Sequence, residues 1–117
     1  MKLSHYRRAI LRPLTLDALV IVQSGDLPEL TLLEIYRIPD ELFQTHFHLF
    51  NDLDRICGIA TEDHHVEEVE PDRLPLVIRT LRAYPCANDR DLEDMIDRLW
   101  GLCHRGLDSD RPVFFVL

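Results

Sequence analysis

The apolar residues of this chain change their spacing from segment to segment, and each spacing predicts an element. Residues 16–23 (LDALVIVQ) are β-branched and almost continuously apolar. That pattern predicts a strand buried on both faces near the middle of a sheet. Residues 24–29 (SGDLPE) have turn composition, and residues 30–38 (LTLLEIYRI) predict a second strand, close enough to the first for an antiparallel hairpin. Pro39, Asp40 and Glu41 suit the first turn of a helix. Phe43, Phe47, Phe50, Leu53 and Cys57 then recur at helical spacing, widened by Leu42, Leu49 and Ile56, and Gly58 suits the position just past the helix end.

Residues 59–70 (IATEDHHVEEVE) are mostly polar and predict a short exposed or edge strand. Asp72 is placed to cap a helix over 73–84, which Tyr84-Pro85 stops. Asn88 or Asp89 caps the clearest helix, with Leu92, Met95, Ile96, Leu99, Trp100 and Cys103 on one side and Gly106 at its end. Residues 112–117 (PVFFVL) predict a terminal strand. The expected fold is α+β, a single domain over 1–117. One sheet of about four strands carries three helices packed on one face, in the order β-β-α-β-α-α-β. The length suits one domain and permits a core without disulfides or metal.

Charge changes the picture. The chain carries 13 Lys+Arg and 21 Asp+Glu, a net charge of −8, which argues against nucleic acid as partner. The excess is local. Residues 1–12 hold Lys2, Arg7, Arg8 and Arg12 and no acid, while residues 26–72 hold thirteen acids against Arg37 and Arg55. If the first long helix and the following strand adjoin, their acids form one anionic face, with Glu41, Asp52, Asp54, Glu67 and Glu68 as the candidate partner-binding residues. Such a face either only keeps the protein soluble or docks a basic partner. The basic segment 1–12 could instead fold back over it.

Candidate chemistry adds little. Cys57, Cys86 and Cys103 form no C-x-x-C pair, so no zinc knuckle is expected and reduced thiols suit a cytoplasmic setting. The longest apolar run, residues 18–22, is far short of a membrane span. His46 and His48 lie two apart on an expected helix and cannot share an ion. His64 could meet Glu67 or Glu68, but H-E-x-x-H is absent. Asn51-Asp52-Leu53-Asp54 departs from a calcium loop at Ile56 and Gly58. No nucleophile elbow or phosphate-binding glycine loop occurs. No cofactor, metal or catalytic residue is expected.

A small acidic domain with these features resembles the immunity proteins of bacterial toxin systems, such as contact-dependent growth inhibition. The ending LEDMIDRLWGLCHRGLDSDRPVFFVL resembles the helix-glycine-strand finish of barstar-type inhibitors. The first seventy residues do not match that pattern, and no functional residue carries over. The resemblance implies a cytoplasmic inhibitor, not an enzyme, that neutralises a cognate and basic nuclease-type toxin. A monomer is expected. Two alternatives stay open: a small acidic secretion chaperone or adaptor, and a metal-dependent enzyme using His64 and Glu68.

Overall fold

The computed structural model describes residues 1–62 and 65–117. Four strands form one fully antiparallel sheet: β1 (Ala9–Pro13), β2 (Leu33–Arg37), β3 (Glu67–Val69) and β4 (Val113–Val116), in the spatial order β2-β1-β4-β3. Among the described residues five α-helices accompany them: α1 (Leu16–Gln23), α2 (Asp40–Thr45), α3 (Phe47–Cys57), α4 (Leu74–Ala83) and α5 (Arg90–Asp108). The α+β class and the four-stranded sheet agree with the expectation. The element order differs, because the chain begins β1-α1-β2 where two consecutive strands were expected.

The first correction concerns residues 16–23, which are a helix. Thr15 supplies the reason: its hydroxyl accepts a hydrogen bond from the Ala18 amide at 3.0 Å, closing the first turn. The hairpin partner of β2 is instead β1, with Leu11 opposite Ile35 and Arg12 opposite Glu34. Residues 1–12 are therefore no loose basic arm. Their last four residues lie in a central strand, where Ala9, Ile10 and Leu11 are fully buried.

Strand alternation sends successive side chains to opposite faces. Ile10, Val69, Val113 and Phe115 face a large core closed by α3, α4 and α5. Ala9, Leu11, Leu33, Phe114 and Val116 face a smaller core closed by Val22 of α1 and by Leu3. Helices thus cover both faces of the sheet, not one. The apolar run of α1 hid this, because it was assigned to the sheet itself.

Three boundaries also move. The helix expected from residue 40 to 57 divides at His46 into α2 and α3, and α3 ends at Gly58 in the left-handed conformation, as expected. Asp72 caps nothing: Arg73 holds the N-cap position of α4 without a side-chain bond. The expected strand over 59–70 is confined to Glu67–Val69. Asp89, by contrast, caps α5 as expected, accepting from the Leu92 amide at 3.1 Å. Helix α5 continues past Gly106 to Asp108.

Candidate functional site

The five acids chosen from sequence fall into separate neighbourhoods. Glu67 and Glu68 are consecutive in β3, so they point to opposite faces of the sheet. Glu67 lies opposite Phe115, on the large-core side, where Arg73 donates to it at 3.2 Å and His65 sits 3.0 Å away. Glu68 lies opposite Phe114, on the α1 side, and accepts from Gln23 at 3.1 Å. Asp52 accepts from Arg55 one turn later at 3.2 Å, and Asp54 is exposed on the same helix. Of the five, Glu41 shares a cleft with acids at the start of α5, and Glu68 shares a groove with Asp26.

The N-terminal basic segment does reach the acids of the middle segment. Arg12 donates to Glu34 at 2.7 Å, and Arg105 of α5 reaches the same carboxylate at 2.6 Å. Arg8 lies 3.7 Å from Asp40, donates to the Leu117 carbonyl and stacks 3.8 Å over the Phe43 ring. The anionic face expected across the first helix and the following strand is thus divided by ion pairs and by the sheet.

A different acidic surface surrounds the connection between α4 and α5, residues 84–89. At one end Glu41, Asp89 and Asp91 line an open cleft of about 340 Å³ together with Pro39, Leu42, Thr45 and His46. His46, at the break between α2 and α3, places Nε2 3.2 Å from Asp89 Oδ2. This contact ties the start of α5 to the α2–α3 corner. At the other end, Asp52 lines a largely apolar groove of about 510 Å³ with Ile56, Arg79, Thr80, Ala83, Tyr84 and Pro85.

Groups inside this connection register the surrounding charge. Burial pushes the Tyr84 hydroxyl above its ordinary value, and Asp52 and then Cys86 push it further. Burial likewise raises the Cys86 thiol, and Glu93, Asp97 and Asp89 add to the rise against the opposing pull of Arg82. Arg82 is itself 3.0 Å from Asp97 and stacks 4.3 Å over Trp100. Carboxylates of α3 and of α5, with Asp89 at the start of α5, therefore act on one loop.

Sequence reasoning missed Asp89, Asp91, Glu93 and Asp97, because residues 73–117 balance in charge when counted along the chain. The signal that could have found them is their concentration in the cap and first two turns of α5, against Arg90 alone. The remaining chemical candidates stay dispersed. Cys57 and Cys103 are buried, and burial followed by the nearby Cys57 pushes the Cys103 thiol up to about 12. A neutral buried thiol is a poor nucleophile. The expected pairing of His64 with Glu68 lies outside the described residues; among these, no group of three or more His, Cys, Asp or Glu is placed to hold a metal ion. Among the described residues no helix is long and apolar enough to cross a membrane. In comparison with known proteins, no family model matches the chain, and neither the curated proteins nor the solved structures gave a match.

Proposed function

We propose that this protein is a protein-binding inhibitor of the immunity type, and that it neutralises a basic, nuclease-type toxin in the cytoplasm. The observation that carries the reading is the joint placement of Glu41, Asp89 and Asp91 on one open cleft, beside a loop whose Tyr84 and Cys86 sit in a field of further carboxylates. A nuclease holds phosphates with clustered cations, so carboxylates spaced across a concave surface can occupy the same positions and close the site. Opposite charge also speeds encounter, to about 10⁸–10⁹ M⁻¹s⁻¹ at low salt against about 10⁵–10⁶ for neutral pairs. The handful of acids first chosen from sequence narrows accordingly: Glu41 is central, Asp52 flanks the surface, Asp54 is exposed on another side of α3, and Glu67 and Glu68 lie elsewhere.

The test is functional. The product of the reading frame adjacent to this protein's gene is expected to arrest growth when expressed alone and to be harmless when this protein is co-expressed. Glu41→Lys with Asp91→Lys should slow association of the purified pair at low salt by tenfold or more and flatten its salt dependence. Reversing Asp52 and Asp54 should act in the same direction and more weakly. A neighbouring product that neither binds nor harms the cell would overturn the reading.

One observation favours a second reading, that of a small acidic secretion chaperone or adaptor. The groove between α3 and α4, walled by Ile56, Ala83, Tyr84 and Pro85, offers apolar surface to an extended segment. Such adaptors act as dimers, so sedimentation of the isolated protein separates the two: a monomer favours the inhibitor, a stable dimer the adaptor.

A further inference from the structure

Helix α1 is apolar nearly all round, yet it lies on the surface of the protein. Val22 belongs to the small core, Leu19 packs against it, and Ala18 is buried. Leu16 and Val20, one turn apart on the opposite side, are 65% and 64% exposed. Leu14, 40% exposed, precedes the helix, and its amide donates to the Leu32 carbonyl at 2.9 Å. That bond places it against the short 3₁₀ turn Leu30–Leu32, where Leu30 is 51% exposed. Single exposed apolar side chains are ordinary, but three leucines and a valine exposed on one short helix and its neighbours mark an interaction surface.

The charged residues around this face are mostly acidic. From Pro13 to Tyr36 the chain has no lysine or arginine, whereas Asp17, Asp26 and Glu29 are acidic and exposed; Glu34 turns to the other face of the sheet, against Arg12 and Arg105. At the C-terminal end of α1, Gln23 holds Glu68 of β3, and a groove of about 320 Å³ there is lined by Gln23, Asp26, Glu68 and Val66 with Lys2. Lys2 is the one cation lining it among the described residues, and its backbone bridges to Asp26.

We infer that the exposed face of α1 docks a segment of a partner protein that carries an apolar stripe flanked by lysines or arginines, such as a basic amphipathic helix. The apolar centre supplies contact area, and the acidic rim selects the sign of the partner's flanks. A second copy of this chain fits poorly, since a two-fold contact sets the same acidic rim against itself. An anionic membrane surface is repelled for the same reason. The inference rests on the reading of this protein as a binder of basic proteins and adds a second contact surface, on the sheet face away from α3, α4 and α5.

The probe is a synthetic helical peptide of about 18 residues, five turns, built of leucine and lysine in amphipathic order. Its control replaces every lysine by glutamate. Amide shifts of the full isotope-labelled chain are expected at residues 14–23 and at Leu30 with the lysine peptide, and not with the glutamate peptide. Leu16→Ser with Val20→Ser should weaken binding tenfold or more, while Asp94→Asn, on α5 across the sheet from this face, should leave it unchanged. Both substituted leucine and valine positions are solvent-facing, and an unchanged circular dichroism spectrum checks that the fold is kept.

Shifts confined to Glu41, Asp89 and Asp91 overturn the α1 surface and leave the acidic-cleft reading standing. An absence of shifts, or binding undiminished in the double variant, also overturns it. So does a dimer of the free protein that Leu16→Ser and Val20→Ser dissolve. Peptide binding at α1 together with an inert neighbouring gene product keeps this surface and removes the inhibitor.

Discussion

Gly106 lies in the last turn of α5, where β4 passes so close that a Cβ built on it would stand 2.6 Å from Val113 Cγ2 and 3.3 Å from the Arg111 carbonyl. The glycine is needed for this close approach, not to end the helix, which continues to Asp108. Alanine is the better helix former by about 1 kcal/mol, but overpacking costs about 1–3 kcal/mol. The branched Val113 is fully buried and Arg111 offers backbone, so the clash wins. Gly106→Ala is expected to lower stability by about 1–2 kcal/mol in urea unfolding; a stabilised variant would show that β4 moves away at little cost. The sequence position of this glycine near a helix end was legible, while its reason was not, because that reason is a strand arriving from outside the helix.

At the scale of elements, α1 shows where pattern reading stops. A run such as Ala18-Leu19-Val20-Ile21-Val22 has too few polar residues to reveal its period, so a two-face-buried strand and a half-exposed helix look alike. The nearby signal that decides is Thr15, two residues ahead of the acidic Asp17, as a helix start requires. Thr15→Ala removes the acceptor for the Ala18 amide and is expected to cost about 1 kcal/mol. Thr15→Ser, which keeps the hydroxyl, should restore most of it, with amide exchange in the first turn of α1 as the local readout. Where polar residues interrupted the apolar ones regularly, as in α3, α4 and α5, elements were legible almost to their ends: Leu92, Met95, Ile96, Leu99 and Cys103 are all buried. The break at His46 was not legible, since the apolar stripe runs on through it and only the Asp89 contact from α5 marks the corner.

The whole molecule is held at one point by a charge cluster that no local pattern announces. Glu34 of β2 receives Arg12 from β1, directly across the sheet, and Arg105 from α5, 71 residues later. The candidate acidic surface was hidden in the same way: Glu41 and Asp89 share a cleft only because the α2–α3 corner meets the start of α5 through His46, and a count along the chain cannot see that. Burial alone would raise the Glu34 carboxyl, but Arg105 and then Arg12 outweigh it, and its value lies below the ordinary 4.5. The folded state therefore prefers the ionised form more strongly than the unfolded chain does. Its contribution to stability is fully present above the ordinary value and is lost as pH falls below 4.5 through the depressed folded value. Glu34→Gln is accordingly expected to cost about 1 kcal/mol at neutral pH, since charged hydrogen bonds contribute about 1.5–3 kcal/mol and the glutamine amide retains part of the contact. The gap between variant and parent should then narrow as the solution is acidified from about pH 5 toward pH 3, in urea unfolding at constant ionic strength. A gap that stayed constant over that range would assign the role of Glu34 to its shape, and the joining of β2, β1 and α5 would then owe nothing to its charge.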